Sequence, residues 1–115
     1  MAINYNLSKV HALSDNDPNF VLEIVQLFVT EIPKDFKQME QGIKEKDYKQ
    51  AYAFAHKIKP SLDLLGMLIA YDEILQVEAW TKSEGKRREI EATCESIKKQ
   101  LEKAIKEIKK DFEVL

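Results

Sequence analysis

Metal-binding and disulfide chemistry are poorly provided for in this chain of 115 residues, which has one cysteine, Cys94, and two histidines, His11 and His56. Those three side chains cannot furnish a four-ligand zinc site of the Cys/His type, and a lone thiol cannot close an internal disulfide, which points to a reducing compartment. Glycine is equally scarce. Gly42, Gly66 and Gly85 stand far apart, so there is neither a P-loop nor a G-x-G-x-x-G turn to cradle the phosphates of a nucleotide. Three glycines and three prolines also supply too little turn chemistry for a β-sandwich, which leaves helices. Positive charge is not in excess: 18 Lys and Arg face 20 Asp and Glu, so a basic nucleic-acid-binding face is not expected. Long apolar runs are missing too. The most apolar window, Phe20 to Val29, is broken by Glu23 and Gln26 and falls far short of the roughly 20 residues that span a bilayer. The first residues lack the positive start and apolar stretch of a secretory signal, so the expectation is a soluble cytoplasmic protein with no membrane contact.

What is present suits a packed helical domain. Hydrophobic residues make up 44% and charged residues 33%, enough for a core, and the length fits one domain over residues 1–115. Ser8 to Leu13 reads as a short first helix ended by Ser14-Asp15-Asn16, and Asp17-Pro18 as an N-cap and first helical residue. Phe20, Ile24, Leu27, Phe28, Ile32, Phe36, Met39 and Ile43 then recur at the spacing of one buried face, on a helix that Pro33 should bend. Asp47 followed by Gln50 resembles a capping box opening a third helix that ends near Gly66. A fourth, from about Met67 to Thr81, carries Leu68, Tyr71, Ile74, Leu75 and Glu78, with Ser83-Glu84-Gly85 as the turn. The last helix, from Lys86 to Leu115, has an a/d rhythm at Ile90, Cys94, Ile97, Leu101, Ala104, Ile108, Phe112 and Leu115. Short connections between long amphipathic helices predict an all-α, antiparallel up-and-down four-helix bundle with a short extra N-terminal helix.

One histidine does not fit the core of that bundle. On a helical wheel Ala51, Phe54, Ala55, Ile58, Leu62 and Leu65 form one apolar sector, and His56 lies about 150° from its centre, facing solvent. An outward histidine can be surface filler. The segment from Lys44 to Lys59, however, has five lysines against Glu45 and Asp47, which favours a small anion. Lys59, one turn after His56 on the same face, could reach a phosphoryl group carried on the imidazole or could simply be solvated. Imidazole suits phosphoryl transfer because its reference pKa, about 6.5, leaves a neutral nucleophilic nitrogen near neutral pH. With no pocket-forming loops in view, the donor would be another macromolecule.

The segment Ala55-His56-Lys57-Ile58-Lys59-Pro60-Ser61-Leu62-Asp63-Leu64-Leu65-Gly66-Met67 resembles the signature of histidine-containing phosphotransfer (HPt) domains, Ala-His-x-Leu-Lys-Gly-Ser with a Leu-Gly pair several residues on. Phe28, Ile32-Pro33 and Asp47 upstream and Val77-Glu78 downstream resemble further landmarks of that family, so the likeness covers most of Asp17 to Gly85. It implies an antiparallel four-helix bundle and a phosphorelay carrier that is not itself an enzyme. His56 would be the phosphoacceptor, charged by an aspartyl phosphate on one receiver domain and discharged to another, with Lys59 supporting the phosphoryl group. The partners would be response-regulator receiver domains and a hybrid sensor histidine kinase. No cofactor or metal would be bound by this chain, the Mg²⁺ belonging to the partner receiver.

Pro60 stands where the family has glycine; a proline there frees the carbonyl of His56 and would kink the helix at the histidine turn. Tyr52, Pro60 and Asp63 share the outward face and are candidates for receiver docking, with exposed filler as the alternative for Tyr52 and Asp63. Glu78 could orient something near the site, but a solvated carboxylate is the simpler reading, and Cys94 belongs to core packing. His11 is assigned to the surface of the first helix. A helical adaptor without phosphotransfer, or an inactive relay bundle, is the competing function.

Overall fold

Local chemistry sets the helix starts. Asp17 Oδ1 accepts the backbone N–H of Asn19 at 3.0 Å, and Pro18 takes the first helical position, where a missing N–H costs no hydrogen bond. Asp47 Oδ1 likewise accepts the N–H of Gln50 at 3.0 Å. The computed structural model describes residues 4–112, which contain five α-helices and no strand. They are α1 (Ser8–Leu13), α2 (Pro18–Lys44), α3 (Tyr48–Leu64), α4 (Leu68–Lys82) and α5 (Glu91–Phe112), with one 3-10 turn at Arg87–Glu89 before α5. The last helix therefore starts later than Lys86, and Leu115, expected on its seam, lies outside the described residues. Both Pro33 and Pro60 sit inside helices that continue past them.

Helices α2 to α5 form an antiparallel bundle in which α2 packs on α3 and α5, and α4 packs on the same two helices. The buried side chains make one cluster, to which α1 adds Val10. All of Ile90, Cys94, Ile97, Leu101, Ala104 and Ile108 are buried, as the a/d rhythm predicts. Along α2 the buried row is Val21, Val25, Phe28, Val29, Ile32, Phe36, Met39 and Ile43, while Phe20 and Leu27, expected in it, are exposed. On α4 the buried positions are Ala70, Ile74, Val77, Glu78, Trp80 and Thr81, and Leu68 and Leu75 face outward. Phe54 of α3 is only half-buried.

Register between helices is fixed at close approaches and at the ends. A Cβ at Gly42 would lie 2.6 Å from the backbone nitrogen of Ala51, so α2 and α3 touch there backbone to backbone. Gly42→Ala should destabilise the fold by about 1–3 kcal/mol, as an overpacked contact does, measured by urea unfolding; an unchanged midpoint would show that the pair separates freely. At the opposite end Gly66 holds φ at +66°, and the Asn6 N–H donates to the Leu65 carbonyl at 2.6 Å. The α4–α5 connection is pinned by Trp80 Nε1 donating to the Lys86 carbonyl (2.8 Å) and Tyr48 Oη donating to the Gly85 carbonyl (2.8 Å). Because Tyr48 starts α3 and Trp80 is near the end of α4, these bonds and the contact of the two rings tie that end of α3 to the end of α4.

Burial of Cys94 pushes its thiol up from an ordinary 9.0 to about 12. The folded chain then keeps a proton that the unfolded chain loses, so stability is full below pH 9 and falls as pH rises toward the folded value, by about 1.4 kcal/mol per pH unit. Tyr5 and Lys59 are shifted in the same direction but from ordinary values of 10.0 and 10.5, so the thiol dominates between pH 9 and 10. Unfolding free energies of wild type and Cys94→Ala at pH 8, 9 and 10 should show the decline flattened in the variant; parallel declines would mean that the thiol is ionised in the fold.

Candidate functional site

Helix α3 turns Ala51, Ala55, Ile58 and Leu62 into the core and leaves His56 on the far side, its side chain 60% exposed. The neighbouring helix supplies its partner. Glu78, a carboxylate on the buried face of α4, is 7% exposed, and its Oε2 lies 3.1 Å from His56 Nδ1. The same carboxylate takes the Lys59 ammonium on both oxygens, at 3.0 Å to Oε1 and 3.2 Å to Oε2. The expectation that Glu78 is a solvated carboxylate is thus incorrect. The register of α4 against α3 draws it under the two polar residues of α3, where two donors satisfy a group that burial alone would penalise.

These contacts decide which ring nitrogen is available. A carboxylate can only accept, so the 3.1 Å contact puts a proton on Nδ1, and in the neutral ring the lone pair is then on Nε2 of a mostly exposed side chain. The hydrogen bond to Glu78 raises the Lys59 pKa above its ordinary value, against the opposing effect of burial. Tyr52, one turn before His56, lays its ring parallel to the imidazole, with centroids 5.7 Å apart and planes 11° from each other. Lys82, the last residue of α4, places its ammonium 5.6 Å from the centroid of the Tyr52 ring.

Of the residues singled out in the sequence, the fold brings Tyr52, His56 and Lys59 together. Pro60 is exposed beside Lys59, and Asp63, about 10 Å along α3 from His56, pairs with Lys9 of α1 at 2.6 Å. His11 is exposed on α1. Glu78 and Lys82 complete the cluster. A legible signal marked Glu78: it occupies a position of the apolar row Ile74, Val77 and Thr81, where a carboxylate must find partners. Nothing in the spacing marked Lys82.

The cluster lies on a convex helix face. An open cleft of about 580 Å³ between α2 and α5, lined by Lys37, Arg87 and Cys94 among others, does not include it. Another of about 610 Å³, lined by Tyr5, Gly66 and Gln100 among others, does not include it either. Among the described residues no group of three His, Cys, Asp or Glu is placed to hold a metal ion, and no helix is long and apolar enough to cross a membrane.

A family model for the Hpt domain matches residues 23–111, and the chain belongs to that family. Its members are the histidine phosphotransfer modules of phosphorelays, which exchange phosphoryl groups with receiver domains and histidine kinases. Comparison with curated proteins and with solved structures gives no match.

Proposed function

We propose that this chain is a phosphorelay carrier in which His56 Nε2 accepts a phosphoryl group from the aspartyl phosphate of one receiver domain and delivers it to the aspartate of another. The observation that carries this reading is the contact of Nδ1 with the buried Glu78 on a mostly exposed side chain, which in the neutral ring puts the proton on Nδ1 and the lone pair on Nε2. The Nε2 lone pair attacks phosphorus, the P–O bond to the donor aspartate breaks, and the aspartate leaves as a carboxylate. The ring is then a phosphoimidazolium whose positive charge is shared with the Nδ1–H, and Glu78 accepts that hydrogen bond. Transfer onward reverses the step, with neutral imidazole as the leaving group.

Lys59 holds Glu78 in place and puts a cation beside the transferred group. Tyr52, Pro60 and Asp63 contribute to receiver docking; Lys9, paired with Asp63, extends the same face onto α1. The Mg²⁺ and acidic pocket belong to the receiver, the kinase upstream is of the hybrid type, and the exchange takes place in the cytoplasm. The chain acts as a covalently modified carrier and turns over no substrate of its own. The test is to mix the folded chain with receiver domains charged with radiolabelled phosphate. Acid-labile label should move to the chain within the lifetime of the aspartyl phosphate. Label that stays on every receiver would favour the adaptor reading.

A further inference from the structure

The lysine that the signature points to is already engaged. Lys59 spends both of its contacts on Glu78, and withdrawing it would leave a buried carboxylate with His56 alone. Two other lysines near this face are committed as well, Lys57 to Asp35 at 3.0 Å and Lys9 to Asp63, and the exposed Lys49 lies two turns of α3, about 10 Å, from His56. Lys82 differs. It is exposed, no carboxylate of the described residues pairs with it, and its ammonium rests over the Tyr52 ring that stacks on His56. A cation held only by a ring face is weakly held, and its flexible four-carbon stem lets it exchange that face for an anion.

We infer that Lys82 is the cation that binds the phosphoryl oxygens once His56 is phosphorylated, moving from the Tyr52 ring while the Lys59–Glu78–His56 contacts stay in place. The inference rests on the carrier reading above and deepens it. Geometry supports it from three sides. Glu78 and Lys82 are one turn apart on α4, His56 and Tyr52 are one turn apart on α3, and the antiparallel helices set Lys82 level with Tyr52. A phosphoryl group on Nε2 grows outward from the ring, toward the solvent side where Lys82 is free. Keeping Lys59 on Glu78 also keeps the acceptor for the Nδ1–H of the phosphoimidazolium.

A cation in this place should lengthen the life of the phosphohistidine. Hydrolysis passes through a loose, metaphosphate-like transition state, in which the phosphoryl oxygens carry less negative charge than in the bound dianion. An ammonium on those oxygens therefore stabilises the ground state more than the transition state.

The experiment needs no receiver. The full chain is incubated with radiolabelled phosphoramidate: Nε2 attacks phosphorus, the P–N bond of the reagent breaks and ammonia leaves. Excess reagent is then removed and the acid-labile label is followed with time. Lys82→Ala should take up label but lose it roughly three- to tenfold faster than wild type, and Lys82→Arg should restore the lifetime. Equal lifetimes in wild type and Lys82→Ala would overturn the assignment of Lys82 and leave the carrier reading intact. Wild-type chain that is folded but takes no label at all would overturn the carrier reading, and the role of Lys82 with it.

Discussion

His56→Gln should fold as the wild type does and take up no phosphoryl group. The side chain is mostly exposed, and its contacts are one hydrogen bond to Glu78 and one ring stack on Tyr52. A glutamine amide can donate to the same carboxylate, so the buried Glu78 keeps two partners and the unfolding free energy should stay within about 0.5 kcal/mol of wild type. The chemical loss is total by contrast. Glutamine offers no nucleophilic nitrogen, Lys59 is held as an ammonium by Glu78, and the other histidine, His11, sits on α1 with no carboxylate paired to it. Transfer from a labelled receiver, read beside a urea denaturation curve, checks both halves. Acid-labile label persisting on folded His56→Gln would move the acceptor to another residue.

The same residues show how far the sequence could be read. Helix ends were legible because they depend on local chemistry: Ser8–Leu13 emerges with the expected bounds, and Asp17 and Asp47 cap through their own side chains. The outward direction of His56 was legible because α3 has a single apolar sector, and that sector is the buried one. Helices α2 and α4 were harder, since each has more than one apolar row at a helical spacing. Val21, Val25 and Val29 compete with Phe20 and Leu27, and only packing against α3 and α5 decides between them. At about 40 Å, α2 is also longer than α3, at about 25 Å, so part of its surface has no α3 beside it. The pairing of Glu78 with His56 depends on how far α4 is slid along α3, which the packing of the two helices decides and no periodicity encodes.

Glu78→Gln should be the most damaging conservative change in the protein. The substitution preserves shape and removes a charge, but it also turns one acceptor oxygen into a donor nitrogen. Lys59 remains an ammonium with nothing else to donate to in this cluster, so it claims the single amide oxygen. The amide nitrogen is then left facing Nδ1, which must accept rather than donate, and the proton moves to Nε2. The nucleophilic lone pair now points into the protein and the outward nitrogen is blocked.

A tautomer reversed in this way should slow transfer by roughly 10²- to 10⁴-fold without unfolding the chain, the upper figure being the loss known when a serine protease histidine takes the wrong tautomer. Imidazole nitrogen chemical shifts give a readout that a merely structural role would not move: the wild type should show Nδ1–H, and the variant Nε2–H. Lys59→Met combined with Glu78→Gln should then show Nδ1–H again, because the freed amide oxygen can turn back to Nδ1–H and restore the outward lone pair. A double variant that keeps Nε2–H, or wild-type rates in Glu78→Gln, would mean that Glu78 does not set the proton on His56.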